Sequence, residues 1–254
     1  MLLLRGLFYE FPFLKSSMSP TVLMDLWGTL IEPTISKNLY YKTRVLELLR
    51  ACGLEPSDEE LDHAYSIYKE VEEKLSEARK STLKEISAKK ALDVFFKRLG
   101  LEVQVEIEHL NAYSKPFLEL TRLKEGAREA VKHLSNGYSL ILVSNLSYAR
   151  MGREVLRRNG LLNYFSGVLF SDEVGFRKPH PKIFQLALEI AGSDPSECVM
   201  IGDELEDDML GAKKLGIKTI WVPWEDKYTE PIRYVDDVAF SLVDIHKKVK
   251  RLIG

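Results

Sequence analysis

Cysteine is scarce in this chain: its 254 residues include only Cys52 and Cys198. These two lie far apart, and neither has a neighbour at a metal-ligand spacing, so we expect neither a disulfide framework nor a zinc site. Scarce cysteine is typical of proteins from reducing compartments, and we therefore expect a cytoplasmic protein.

The chain also lacks an excess of charge of one sign. Its 36 basic and 38 acidic residues leave a net charge of −2, and no long stretch accumulates Lys and Arg without interleaved acids. We therefore expect no nucleic-acid partner.

Long apolar runs are missing as well. No uninterrupted run reaches the ~20 residues that a membrane-spanning helix needs, so we expect no membrane association. The N-terminal segment is rich in apolar side chains, but Arg5, Glu10 and Lys15 interrupt it and no small-residue cleavage pattern follows. We expect no secretion signal, and the sequence leaves open whether the chain starts at Met1 or at Met18.

The chain does have the composition of a folded globular protein, with 45% hydrophobic and 29% charged residues. The apolar run TVLMDL from residue 21 predicts a buried strand that ends at Asp25, and Gly28 predicts a turn after it. From about residue 36 to 120, four segments show apolar residues at helical spacing with charges between them. These segments predict an inserted all-helical bundle.

Beyond the insert, helical patterns alternate with strand patterns. The predicted strands are YSLILVSN, GVLFSDE, ECVMIGD and KTIWVPW, and each follows a predicted helix. Such alternation predicts an α/β fold, a parallel sheet with right-handed crossovers and helices on both faces. We expect a sheet domain of residues 1–33 and 122–254 and a helical domain of residues 34–121.

Polar residues stand at the carboxyl ends of the predicted strands, where parallel sheets bind ligands. They are Asp25, Ser144, Asn145, Ser171, Asp172, Asp203 and Glu204. A turn or a helix cap explains any one of them, but several in order along one sheet predict a site. Carboxylates at two strand ends suit a hard cation such as Mg²⁺. That cation would let Asp25 approach an anionic phosphorus.

A hydroxyl and an ammonium group complete the predicted site. Ser144 and Lys178 would face the substrate anion, and Lys178 would offset charge on the transferring group. Simpler explanations stay open: Ser144 could cap a helix, and Lys178 could be a solvated loop charge. Asp207 or Asp208 could only complement a helix dipole, and we favour that interpretation for Asp207.

The segments VLMDLWGTL, LVSN, RKPHP and VMIGDELEDDMLGAKKLG resemble, in this order, the four motifs of the haloacid dehalogenase superfamily. The resemblance runs from about residue 21 to 223, and the helical insert is similar to the cap of its first subfamily. It implies a Rossmann-like core in which Asp25 forms a covalent intermediate and Lys178 is the second catalytic residue. The substrate-binding residues that it implies are Ser144, Asn145, Gly28 and Thr29. The Mg²⁺ ligands that it implies are Asp25, Asp203, Asp208 and the backbone carbonyl of Trp27.

Trp27 departs from the family pattern. Phosphatases of the family usually carry DxD, whose second Asp protonates the leaving oxygen and then activates water. An indole does neither, and the loss of a general acid costs about a hundredfold to ten-thousandfold in rate. Glu204 or Glu32 could substitute, although we expect each to be a surface charge.

Three functions remain open at this stage. The resemblance implies a Mg²⁺-dependent phosphohydrolase for a small phosphorylated compound, of open oligomeric state. L-2-haloacid dehalogenases, which use no metal, have an aromatic residue where this chain has Trp27. However, their fourth motif is similar to SSNxxD rather than GDELEDD, and the chain shows no clear match for their cap arginine. A metal-binding protein with a regulatory role and little catalysis is the third alternative.

The predicted cap contains two candidate substrate-contact loops, at residues 36–41 and 80–83. Closure of a cap over the active site would exclude water and contact the distal part of the substrate. We expect four cap tyrosines to pack the helical bundle instead of recognising a ring: Tyr40, Tyr41, Tyr65 and Tyr68.

Overall fold

The computed structural model describes residues 20–224 and 232–254. The apolar N-terminal segment and the alternative start at Met18 lie outside the described residues. None of the helices within these two ranges is long and apolar enough to cross a bilayer.

Short strands and helices alternate along the described ranges. The strands are β1 (Thr21–Met24), β2 (Ile31–Pro33), β3 (Thr121–Leu123), β4 (Ser139–Ser144), β5 (Gly167–Phe170), β6 (Cys198–Gly202), β7 (Lys218–Trp221) and β8 (Asp237–Val238). The helices are α1 (Lys37–Ala51), α2 (Asp58–Thr82), α3 (Ala88–Arg98), α4 (Ile107–Glu119), α5 (Ala127–Leu134), α6 (Ala149–Arg158), α7 (Ser171–Val174), α8 (Pro181–Ala191), α9 (Gly211–Lys213) and α10 (Ile245–Ile253).

Six strands form one parallel sheet in the order β5-β4-β1-β6-β7-β8. Val22 of β1 packs in the hydrophobic cluster that contains α5 and α10. Leu23, which points the opposite way, packs in the cluster that contains α8 and α9. Strands covered on both faces are apolar throughout, which is why β1 and β6 appear in the sequence as continuous hydrophobic runs. The predicted α/β fold with helices on both faces is confirmed.

Helices α1 to α4 form the insert between β2 and β3. These two strands pair antiparallel, with Ile31 opposite Leu123, so the chain leaves and re-enters the core at one place. Helix α1 packs against α2 and α4, and α2 packs against α3. The four-helix prediction is confirmed, whereas the division into domains at residues 34 and 121 stays a prediction.

Two predicted elements differ in detail from the observed ones. The strand predicted for GVLFSDE ends at Phe170, and Ser171–Val174 turns into α7. The helix predicted for DDMLGAKKLG begins as a π-helical turn at Leu205–Leu210 before α9. Strands β2, β3 and β8 have only two or three residues, too few to show a hydrophobic period.

Candidate active site

The carboxyl ends of β1, β4 and β6 meet at the centre of the sheet. Because β1 lies between β4 and β6, Asp25 after β1 has Ser144 on one side and Asp203 on the other. The backbone N–H of Asp25 continues the ladder by donating to the carbonyl of Ile201 over 3.0 Å. Parallel pairing therefore brings Asp25, Ser144 and Asp203 together at these strand ends.

Lys178 and Ser144 contact the same oxygen of Asp25. Nζ of Lys178 donates to Asp25 Oδ1 over 2.6 Å, and Oγ of Ser144 donates to it over 2.8 Å. Nζ also lies 2.6 Å from Oδ1 of Asp208. Burial by itself lowers the pKa of Lys178, but the charges of Asp208 and Asp25 outweigh burial and raise it.

These contacts exclude the simpler explanations of Lys178 and Ser144. Lys178 is only 3% exposed, so it is not a solvated loop charge. Ser144 does not cap helix α6, whose N-cap residue is Tyr148. Both side chains are directed at Asp25.

Three carboxylates cluster beside Lys178. One oxygen from each of Asp25, Asp203 and Asp208 lies within 4.8 Å of the others. Burial and the charge of Asp25 raise the pKa of Asp203 to about 7, and burial raises the pKa of Asp208 well above its ordinary value. The cluster offers only oxygen ligands and has an excess of negative charge over one ammonium group, which fits a divalent cation such as Mg²⁺.

Asp203 contacts Thr29 and Gly28, which the resemblance assigned to the substrate, and Trp224, which sequence reasoning did not single out. Thr29 Oγ1 donates to Asp203 Oδ1 over 3.1 Å, and Trp224 Nε1 donates to Oδ2 over 2.5 Å. Gly28 has φ +85, and a Cβ there would lie 2.1 Å from Asp203 Oδ2, so only glycine fits. Neither Gly28 nor Thr29 lines the cavity described below. This arrangement makes them positioning groups for Asp203 and gives no support to their predicted contact with substrate.

Asn145 fixes the loop that carries Lys178. Its Nδ2 donates to the carbonyl of Lys178 over 3.0 Å, and its Oδ1 accepts from the Lys178 N–H over 2.8 Å. Nδ2 also donates to Oδ2 of Asp207 over 2.9 Å. The interpretation of Asp207 as a helix-dipole partner alone is therefore incomplete. Asn145 still lines the cavity, and its contact with substrate stays a prediction.

A cavity of about 610 Å³ separates these strand ends from the helical insert. Trp27 forms part of its wall: the indole stacks on Phe117 of α4 at 5.6 Å and packs at 5.5 Å from Tyr40 of α1. Glu204 faces the same cavity. Burial, with the charges of Asp207 and Asp25, raises its pKa. Glu32 pairs with Arg122 and lies outside the cavity, as expected for a surface charge.

The insert contributes residues that sequence reasoning missed. Arg44, Glu72, Arg79 and Tyr113 line the cavity. The predicted contact segments were located in part, because Lys37, Tyr40, Tyr41 and Lys80 line it as well. They are not loops: apart from the cap residues Ser36 and Leu83, both segments lie in helices, at the start of α1 and the end of α2. Tyr65 and Tyr68 do not line it and belong to the hydrophobic core, as expected. The sequence does contain one indication that Arg44 is unusual. It lies four residues after Tyr40 and four before Leu48, so these three residues share one face of α1 and a cation stands on an otherwise apolar stripe.

Known proteins share this architecture. A family model described as haloacid dehalogenase-like hydrolase matches residues 20–216. Glyceraldehyde 3-phosphate phosphatase from Pyrococcus furiosus is 34% identical over 141 residues, which are 54% of this chain and 58% of that enzyme. The match thus spans little more than half of that relative.

Solved structures resemble nearly the whole chain. A HAD phosphatase from Thermococcus onnurineus is 27% identical with a TM-score of 0.63, over 90% of this chain and 97% of that one. A 2-haloacid dehalogenase from Pseudomonas syringae pv. Tomato DC3000 is 23% identical with a TM-score of 0.69, over 92% and 99% of the two chains, a likeness of fold alone. Since the family model covers most of the chain and the motif residues meet in one site, this protein belongs to the haloacid dehalogenase-like hydrolases.

Proposed function

We propose that the protein is a Mg²⁺-dependent phosphohydrolase that acts on a small phosphorylated compound through an aspartyl-phosphate at Asp25. The observation behind this proposal is the convergence of Ser144 and Lys178 on one oxygen of Asp25, beside two further buried carboxylates. A relative named for the hydrolysis of glyceraldehyde 3-phosphate supports the choice of phosphate over other electrophiles. We also propose a cytoplasmic location, on the scarcity of cysteine alone.

The proposed reaction has two displacements at phosphorus. A carboxylate oxygen of Asp25 attacks phosphorus while the bond to the leaving oxygen breaks, which gives the acyl-phosphate. Water then attacks that phosphorus, and Asp25 and inorganic phosphate are released. Lys178 and Ser144 stabilise the charge on the transferring group. Mg²⁺, held by Asp25, Asp203, Asp208 and the carbonyl of Trp27, would neutralise phosphoryl oxygens.

Trp27 limits which substrates this site would hydrolyse well. The indole packs on Phe117 and Tyr40, and it has no group that exchanges a proton with an alkoxide leaving group. Good leaving groups need no such proton. The proposed enzyme therefore favours substrates whose leaving oxygen has a low pKa.

Dehalogenation of a 2-haloacid is the second candidate, and a specific observation favours it. An aromatic residue, Trp27, follows the nucleophile position by two, and a buried cap arginine, Arg44, lines the cavity. The three clustered carboxylates argue against it, because without a metal ion they would repel a carboxylate substrate and a departing halide.

A release assay separates the candidates. Phosphate release from 4-nitrophenyl phosphate and chloride release from 2-chloropropionate are each measured with Mg²⁺ and after exhaustive chelation. The proposal expects phosphate release that requires Mg²⁺. Metal-independent chloride release would establish the dehalogenase instead. A folded protein that releases neither phosphate nor chloride would favour a regulatory role.

A further inference from the structure

Arg44 is a buried cation in the wall that the insert contributes to the cavity. Its guanidinium carbon lies 4.1 Å from the centre of the Tyr113 ring and 5.1 Å from that of Tyr40. Nε donates to the carbonyl of Tyr113 over 3.1 Å, and Nη2 donates to the hydroxyl of Tyr40 over 2.9 Å. Nη1 makes a longer contact of 3.5 Å with the hydroxyl of Tyr68. The residue is only 5% exposed although it lines the cavity.

No carboxylate oxygen lies within 4.0 Å of the Arg44 nitrogens in residues 20–224 and 232–254. The tyrosines do not supply a negative charge, because burial raises the pKa of Tyr40 to about 12 and also raises that of Tyr113. Arg44 therefore has neutral neighbours: aromatic faces, hydroxyl groups and a carbonyl.

The other cations of the cavity differ from Arg44 in this respect. Arg79 contacts Glu72 and Glu85, each at 3.2 Å, and Arg177 contacts Glu85 at 2.5 Å. Lys178 contacts Asp25 and Asp208, as described above. Lys37 and Lys80 are exposed and solvated. Among the described residues, Arg44 alone combines burial in the cavity wall with the lack of an acidic partner.

A guanidinium stays charged at every pH that a protein meets, and burying a charge without a counter-ion is unfavourable. Ring faces and hydroxyl groups offset only part of the lost hydration. We infer that Arg44, together with the Tyr40 hydroxyl, binds a second anionic group of the substrate, distal to the phosphate that Asp25 attacks. The substrate is thus a phosphomonoester that also carries a carboxylate or a second phosphate. This inference rests on the proposed function for the site of the first phosphate.

Matched substrates test the inference on the unmodified enzyme. Phosphoglycolate is compared with 2-hydroxyethyl phosphate, in which a neutral hydroxymethyl group replaces the carboxylate. Ethylene glycol bisphosphate provides the second-phosphate arm against the same reference. We expect kcat/KM to be about ten- to a hundredfold higher for at least one doubly anionic substrate, the size expected for hydrogen bonds to a charged group.

Variants assign the preference to Arg44. Arg44→Met keeps a long side chain without charge and should abolish the preference while 4-nitrophenyl phosphate is still hydrolysed. Arg44→Lys should recover part of it, because an ammonium keeps the charge but lacks the planar fork. Lys97→Met, at an exposed cation of α3 outside the cavity, should change the preference by less than about threefold because solvent screens that charge.

Binding separates failure of this inference from failure of the proposed function. Calorimetric titration compares phosphonoacetate with methylphosphonate, which lacks the carboxylate, in wild type and Arg44→Met with Mg²⁺ present. Hydrolysis of 4-nitrophenyl phosphate without any preference for a second anion would overturn the inference and leave the function standing. Arg44-dependent binding of phosphonoacetate without hydrolysis of any phosphate would do the reverse. If Arg44→Met does not fold, Arg44→Lys decides: a preference equal to that of the wild type would overturn the assignment to Arg44.

Discussion

The two walls of the cavity are built from different chemistry. The core wall consists of short polar side chains at strand ends, Asp25, Ser144 and Asp203, whose positions follow from backbone pairing. The insert wall consists of long side chains on helices, such as Arg44 and Tyr113, placed by side-chain packing. In the proposed function, the core wall performs the chemistry and the insert wall selects the substrate.

Glu85 joins the two walls. Its carboxylate contacts Arg79 of the insert and Arg177 of the core, and it accepts a hydrogen bond from Ser171. The backbone pairs at the same place: Glu85 N–H donates to the carbonyl of Gly175 over 3.1 Å. Arg177 directly precedes Lys178, so the insert is tied to the loop that carries Lys178.

The contrast between the walls is tested most strongly at Asp25. Asp25→Asn should lower kcat for 4-nitrophenyl phosphate by about ten-thousandfold or more, because an amide is a poor nucleophile. Its melting temperature should stay close to that of the wild type. Asp93→Asn, on the exposed face of α3, is the matched control and should keep full activity. Turnover of Asp25→Asn near the wild-type rate would rule out the nucleophile role.

Removal of the metal should have the next largest effect on activity. Exhaustive chelation should reduce phosphate release at least about a hundredfold, since the cation neutralises the phosphoryl oxygens. Mg²⁺ at a hundred times its Kd should stabilise the folded protein by about 2.7 kcal/mol, measured by thermal unfolding. Asp203→Asn should remove most of this stabilisation, whereas Asp93→Asn should retain it. Full phosphatase activity after chelation would contradict the metal site.

Trp27 lies between the two walls, because it follows β1 of the core and packs on Phe117 and Tyr40 of the insert. Trp27→Asp should raise hydrolysis of an alkyl phosphate about tenfold more than that of 4-nitrophenyl phosphate, because only the alkoxide needs a proton as it leaves. Trp27 is half-buried, so loss of its packing on Phe117 and Tyr40 should cost less than the about 3–5 kcal/mol of stability of a fully buried Trp→Ala change. Trp27→Ala controls for that loss. Equal rates for the Asp and Ala variants on both substrates, with both folded, would show that Trp27 only shapes the pocket.

The smallest expected effect is on stability, at Glu85. Glu85→Gln should lower the free energy of unfolding by about 2 kcal/mol, because two arginines lose a buried charged partner. Glu154→Gln is the control: Glu154 also pairs with two arginines, but its side chain is 28% exposed and solvent weakens both pairs. Chemical denaturation measures both variants. Equal losses of unfolding free energy in the two variants would show that the Glu85 ion pairs stabilise the protein no more than exposed pairs do.

The residues of the core wall were predicted from sequence because few physical rules determine their positions. Parallel strands bring their carboxyl ends to one edge, so the order of Asp25, Ser144 and Asp203 along the chain was enough to predict that they meet. Lys178 was placed with them by its motif. Their assembly follows from local pattern and sheet topology, without any knowledge of side-chain packing.

Other features were decided only by the tertiary structure. Thr29 and Trp224 hold Asp203, and Glu85 links segments that are far apart in sequence. Periodicity shows that Arg44 lies on an apolar helix face, but it does not show that its side chain lines the cavity with no carboxylate oxygen within 4.0 Å. Strand pairing is encoded locally and repeats regularly, whereas the neighbours of a helical side chain depend on how separate helices pack in three dimensions.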